Sequence, residues 1–144
     1  MRTVKHVLLD KAHQEIFTIQ PSATVYEAIT LMAAKEIGAL VVTNDTQHVV
    51  GILSERDYTR KIVLMERTSK DTTVNEIMTS TVLTVTTQTT VEECLKLMTE
   101  KHLRHLPVVE NEKLLGLISI GDLVKAAMDD QHKLIMQLQD YIAS

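Results

Sequence analysis

A shift of 66 residues lays this sequence on itself. Thr18 then falls on Thr84, and Thr24, Val25, Glu27, Leu31, Met32, Lys35, Leu40 and Val42 meet identical residues at Thr90, Val91, Glu93, Leu97, Met98, Lys101, Leu106 and Val108. After a one-residue gap in a loop the shift becomes 65, and Gly51, Ser54 and Asp57 meet Gly116, Ser119 and Asp122. A duplicated chain folds as two like units, so the repeat limits the architecture before any other feature does.

Each copy reads in the same order. Short alternating segments, Ile16-Phe17-Thr18-Ile19 and Val82-Leu83-Thr84-Val85, predict a strand. A helix follows, with Val25, Ile29, Met32 and Ala33 on one face in copy one, and Val91, Cys94, Leu95 and Met98 in copy two. Thr24 and Thr90 are placed to cap these helices, with Glu27 and Glu93 three residues on. Ala39–Val42 and Val49–Leu53 flank a polar turn, as do Leu106–Val109 and Leu114–Ile118, so each pair predicts a hairpin. A second helix closes each copy, from about Glu55 to Glu66 and from about Ile120 onward. The expected fold class is α+β: two β-α-β-β-α repeats packed around a pseudo-two-fold axis. The expected organisation is a first repeat with an N-terminal extension over 1–66, a linker over 67–73, a second repeat over 74–130 and a helical extension over 131–144. One copy alone has too small a core to offset its chain entropy, so the two are expected to share one.

Composition narrows the function classes. Fifteen Lys and Arg against 19 Asp and Glu argue against a dedicated nucleic-acid binder, and 3% aromatics without tryptophan leave no base-stacking platform. No apolar run approaches the ~18 residues of a membrane span, and the N-terminus shows no secretory signal. The single cysteine, Cys94, fits a reducing compartment and lies on the apolar face of its helix, as an inert core thiol would. A cytoplasmic protein is expected. The histidines (His6, His13, His48, His102, His105, His132) show no metal-binding spacing, and there is no phosphate-binding loop or nucleophile elbow. No catalytic residue, metal or required cofactor is assigned.

The chemistry concentrates at two strand-to-helix junctions, Gly51-Ile52-Leu53-Ser54-Glu55-Arg56-Asp57 and Gly116-Leu117-Ile118-Ser119-Ile120-Gly121-Asp122. Ser with an acid three residues on is close to a capping box, and that reading alone would account for the pattern. Two departures point to a ligand. Arg56 sits in a first helical turn, where a cation opposes the helix dipole, and Arg60 and Lys61 follow. A bound phosphate would relieve that conflict. In copy two Gly121 takes the equivalent place and leaves the backbone open to close approach, while Arg104 and His105 could supply the charge. A carboxylate beside a phosphate site suits a ribose hydroxyl.

Ser54-Glu55-Arg56-Asp57-Tyr58, Arg104-His105-Leu106-Pro107-Val108 and the Gly116–Asp122 run make the repeat resemble the cystathionine-β-synthase-type (CBS) domain, over about residues 16–130. The whole chain resembles a stand-alone tandem pair, the Bateman module. The resemblance implies a non-catalytic regulatory module that binds adenosine nucleotides of the AMP, ADP and ATP class in clefts between repeats. NAD or S-adenosylmethionine is an alternative ligand, and a ligand-independent scaffold, in which Ser-x-x-Asp serves only as a cap, is an alternative function. By position, Ser54 with Asp57 and Ser119 with Asp122 would hold ribose. Thr18 and Thr84, with the backbone at Ala39 and His105, would frame adenine. Val41 stands where copy two has Pro107, which separates the two sites. The regulated partner protein is not named by the sequence.

Beyond Met128 the apolar residues Leu134, Ile135, Leu138, Tyr141 and Ile142 continue as one helical stripe. Together with the family's habit of pairing modules, the stripe makes a homodimer the expectation, the alternative being a helix that folds back to cover the end of copy two.

Overall fold

The computed structural model describes residues 2–11 and 16–143. In chain order the elements are α1 (Val4–Asp10), β1 (Thr18–Ile19), α2 (Val25–Lys35), β2 (Ala39–Thr43), β3 (Val49–Ser54), α3 (Glu55–Tyr58), a π-helical turn (Thr59–Val63), α4 (Val74–Ile77), α5 (Val91–Lys101), β4 (His105–Glu110), β5 (Lys113–Ser119) and α6 (Ile120–Ala143). The fold class is α+β, with each copy supplying a helix, a hairpin and a second helix in the order expected.

Two compact units form, and they divide the chain differently from the expected repeat boundaries. One comprises Glu15–Leu83 with Asn111–Leu115; the other comprises Met1–Gln14, Thr84–Glu110 and Gly116–Ser144. The reason lies in the helix starts. The first amide groups of a helix have no partner within it and must find one elsewhere. In the first unit the Val25 N–H donates to the Thr72 carbonyl at 2.8 Å, and the Val74 and Asn75 N–H groups donate to Ala23 and Pro21 at 2.8 and 2.9 Å. The second unit repeats this arrangement. Val91 N–H donates to Arg2 at 3.0 Å, and Val4 and Lys5 N–H donate to Thr89 and Thr87 at 2.8 and 3.0 Å. The segment that precedes each copy therefore completes the other copy. Residues 67–73, expected as a linker, take part in this pairing: Thr72 is buried, and Tyr26 N–H donates to the Ser69 carbonyl.

In the first unit β1 runs parallel to β2, with Thr18 opposite Val41, and β2 runs antiparallel to β3, with Ala39 opposite Ser54. Val25, Ala28 and Met32 from α2 pack with Leu40, Val42, Leu53, Ile62, Val74 and Ile77 into one buried cluster. β2 is buried along its whole length. The helix expected over Glu55–Glu66 is not continuous. After Tyr58 the chain widens into the π turn, with bonds from Leu64 to Thr59 and from Arg67 to Ile62, and it ends at Glu66 in the left-handed region. The wider turn keeps Ile62 in the core and leaves Val63, Leu64 and Met65 exposed.

In the second unit β4 and β5 form a two-stranded sheet. The strand expected over Val82–Val85 is reduced to one parallel bridge, Val85 opposite Val108, with Val85 N–H donating to Pro107 and Val109 N–H donating to Val85. Extending the ladder to Thr84 would need an N–H from residue 107, and proline has none. Copy one has Val41 at that place, and there the strand does reach Thr18. Val4, Val7, Val91, Cys94, Met98, Leu106, Val108, Ile118, Leu123 and Ala126 are buried in this unit. Burial raises the Cys94 thiol to about 11, with the Glu93 charge adding to the effect, so the thiol stays protonated and inert.

Candidate functional site

Both Ser-x-x-Asp runs sit where a strand turns into a helix. At the start of α3 the Asp57 N–H donates to Ser54 Oγ at 3.1 Å, while Ser54 N–H donates to Asp57 Oδ2 at 3.0 Å. At the start of α6 the Asp122 N–H donates to Ser119 Oγ at 3.2 Å, and Ser119 N–H donates to Asp122 Oδ2 at 2.9 Å. Both are thus reciprocal capping boxes. The first amide of each helix is also held alike, from Glu55 to the Gly38 carbonyl and from Ile120 to the Arg104 carbonyl. The duplication has preserved the reciprocal cap bonds and the first-amide bond at both junctions.

The caps leave each carboxylate facing a lysine. Lys61 Nζ lies 3.5 Å from Asp57 Oδ1 and donates to the Ile77 carbonyl at 2.9 Å. The Thr79 hydroxyl approaches the same Asp57 oxygen at 3.5 Å. In copy two, Lys11 Nζ donates to Asp122 Oδ2 at 2.9 Å and to the Leu117 carbonyl at 3.0 Å. Burial opposes ionisation of Asp122, but the Ser119 amide, the Lys11 ammonium and the Ser119 hydroxyl outweigh it and hold the carboxyl below its ordinary value.

The remaining residues named from sequence are placed as follows. Ala39 is buried and pairs with Ser54 itself. Arg56 and Arg60 are exposed on α3 and the π turn that follows it. Thr18 is exposed at the start of β1, and Thr84 is exposed immediately before the Val85 bridge. Arg104 meets α6 through its carbonyl, His105 opens β4, and Pro107 is buried with its carbonyl accepting from Val85. Gly121 is exposed, and a Cβ there would meet nothing nearer than Ser119 Oγ at 3.7 Å. Sequence reasoning missed Lys11, whose only signal is the exchange of flanking segments. It also missed the approach of Thr79. Among the described residues no group of three or more His, Cys, Asp and Glu could hold a metal ion; His13 lies outside them. No helix among them is long and apolar enough to cross a membrane.

Paired helix caps, each following a hairpin and duplicated within one chain, define a tandem CBS-domain protein. The CBS domain family model matches residues 4–64 and 74–129, and the chain belongs to that family, whose members act as regulatory modules. Among solved structures, one described as a signal-transduction protein with CBS domains from Burkholderia ambifaria MC40-6 is 51% identical, with a TM-score of 0.85, covering 90% of this chain and 96% of that one. A hexameric CBS-CP12 protein from bloom-forming cyanobacteria is 30% identical, with a TM-score of 0.77, covering 86% of this chain and 70% of that one. The mitochondrial CBS domain-containing protein CBSX3 of Arabidopsis thaliana is 41% identical over 123 residues. That alignment takes in 83% of this chain and spans 60% of the plant protein's length.

Proposed function

We propose that this protein is a non-catalytic regulatory module that binds adenine nucleotides of the AMP, ADP and ATP class at its two Ser-x-x-Asp caps. The observation that carries this reading is the duplicated carboxylate at a helix start with a cation beside it: Asp57 with Lys61, Asp122 with Lys11. A carboxylate accepts from ribose hydroxyls, and the neighbouring ammonium and helix amides suit phosphate. Ser54 and Ser119 hold the carboxylates, Arg56 and Arg60 serve phosphate at the first site, and Arg104, His105 and Gly121 border the second. Thr18 and Thr84, with the backbone at Ala39 and His105, would frame adenine, and Pro107 belongs to the second site. The nucleotide acts as a regulatory ligand. It favours whichever state of the module binds it better, by no more than its difference in affinity. A homodimer working in the cytoplasm on a separate protein completes the reading; the hexameric state of the cyanobacterial relative supports self-association.

The completeness of both capping boxes favours one second reading, a ligand-independent scaffold in which the aspartates serve folding alone. One experiment separates the two. Thermal shifts with AMP, ADP, ATP, NAD and S-adenosylmethionine identify the ligand, a ligand at 100 times its Kd adding about 2.7 kcal/mol. Calorimetry then compares wild type with Asp57→Ala and Asp122→Ala. The nucleotide reading requires each variant to lose roughly 1.5–3 kcal/mol of affinity at its own site. The scaffold reading requires lower melting temperatures with affinity within twofold, or no shift from any of the five.

A further inference from the structure

The two caps recruit their lysines from different places. Lys61 stands four residues after Asp57, on the turn that continues α3. The equivalent position in copy two is Ala126, which is buried and carries no charge. The second carboxylate instead receives Lys11, which ends α1 and lies 111 residues away in sequence from Asp122. In both cases the ammonium lies beside the aspartate, 3.5 Å from Asp57 Oδ1 and 2.9 Å from Asp122 Oδ2, and donates to one main-chain carbonyl, Ile77 for Lys61 and Leu117 for Lys11. A cation beside the carboxylate has thus been reached twice, from unrelated positions.

Lys11 is held in place by its own element. Thr3 bridges to Thr90, Val4 N–H donates to Thr89, and Arg2 pairs with Asp10 at 2.8 Å and with Asp130 at 2.6 Å. The Lys11 side chain is 35% exposed and that of Asp122 23% exposed, so the pair lies at the protein surface, within reach of a solute. An ammonium has three donors, and among the described residues Lys11 uses two of them, on Leu117 and Asp122. A third donor suits an anion.

We propose that Lys11 is the specificity-determining residue of the second Ser-x-x-Asp site, holding Asp122 in the free protein and transferring to the phosphate of an incoming nucleotide. The proposal rests on the nucleotide reading above. A ribose that takes Asp122 Oδ2 displaces the ammonium from its acceptor. A nucleotide offers the ammonium a phosphate in exchange, whereas a nucleoside leaves it without a counter-ion. The second site therefore prefers phosphorylated ligands through a residue outside its own repeat.

The test uses AMP and adenosine as probes, in calorimetry on wild type, Lys11→Met, Lys11→Arg and Lys61→Met. Lys11→Met is expected to reduce the preference for AMP over adenosine at the second site by roughly tenfold to a hundredfold. Lys11→Arg, which keeps the charge, retains most of it. Lys61→Met leaves the second-site preference unchanged. A second, ligand-free readout follows the carboxyl carbon of Asp122 by NMR, whose titration midpoint rises in Lys11→Met. If wild type binds neither probe, the nucleotide reading falls and this proposal with it. If wild type binds both and Lys11→Met shows the same preference, or an unmoved Asp122 titration, the proposal alone is overturned.

Discussion

Substituting Gly51 by alanine tests whether residues 78 and 79 are fastened to the first repeat. Gly51 lies in β3 opposite Val42, and a Cβ built there would stand 2.5 Å from Met78 Sδ, 3.0 Å from Met78 Cγ and 3.1 Å from the Thr79 carbonyl oxygen. The methionine can move, being unbranched and flexible. The Thr79 carbonyl cannot easily do so, because Ile52 and Thr79 exchange backbone hydrogen bonds of 3.0 and 2.9 Å. Overpacking of this kind costs about 1–3 kcal/mol. Removing a glycine from a strand interior returns roughly 0.5–1 kcal/mol. The net loss is about 1–2 kcal/mol, a fall of roughly 3–6 °C in Tm at this chain length. Urea and thermal denaturation measure it, with Gly121→Ala as the control. Nothing crowds a Cβ at Gly121, and alanine in a helix is favoured over glycine by up to about 1 kcal/mol. A Gly51→Ala protein that melts at or above wild type would refute the attachment, and with it the pairing of the 67–83 segment to copy one.

Arg56→Ala should weaken AMP binding while leaving adenosine nearly unchanged, since Arg56 is assigned to phosphate; equal losses in calorimetry would reject that role. Truncation after Asp130 should leave a folded chain, because Leu123 and Ala126 are the buried residues of α6 and both are retained, together with the Arg2 partner. The removed part exposes Leu134, Ile135, Leu138, Tyr141 and Ile142, so light scattering should show loss of the proposed dimer; a fully dimeric truncated protein at micromolar concentration would remove this helix from the interface. Acid stability should depend on Asp122. Its carboxyl is held below 3.8 in the folded protein, so its contribution is present above that value and is lost as pH falls through the lower folded one. Urea titrations between about pH 5 and pH 2 should show Lys11→Met losing stability at higher pH than wild type, and coincident profiles would count against the ion pair.

Features written over a few neighbouring residues were legible in the sequence. The Thr24 and Thr90 caps accept from Glu27 and Glu93 N–H as expected, and the Ser54 and Ser119 caps form within one helical turn. Hairpin positions follow from apolar runs broken by polar turns, which depend on the same short range. What was not legible needs either distance or a detail finer than periodicity. Nothing in Val4 or Thr89 taken separately says that they meet, because a backbone hydrogen bond has no side-chain signature. The π turn adds one residue to a helical turn, and the apolar spacing of Ile62 through Met65 tolerates either reading. The shortened strand at Thr84 is different: Pro107 carried the signal, through the amide it lacks. At the sites, the serines and aspartates were legible as a duplicated pattern, and the arginines as cations near it. Lys11 was not, since the copy-two position equivalent to Lys61 holds Ala126 and the lysine that takes its place lies 111 residues from Asp122.

The exchange of flanking segments sets an order of events during synthesis. The first copy can close as it leaves the ribosome, because α4 follows β3 after a short interval and Val74 needs only Ala23, already made. The α1 segment has no such opportunity. Arg2, Val4 and Lys5 must wait for Thr87, Thr89 and Val91, which emerge roughly 4–17 s later at ordinary translation rates. Over that interval Val4 and Val7, both buried in the finished protein, are without cover. The α1 segment, made before either hairpin, is therefore among the last to find its place, and the ammonium of Lys11 reaches Asp122 only when the second copy has been made.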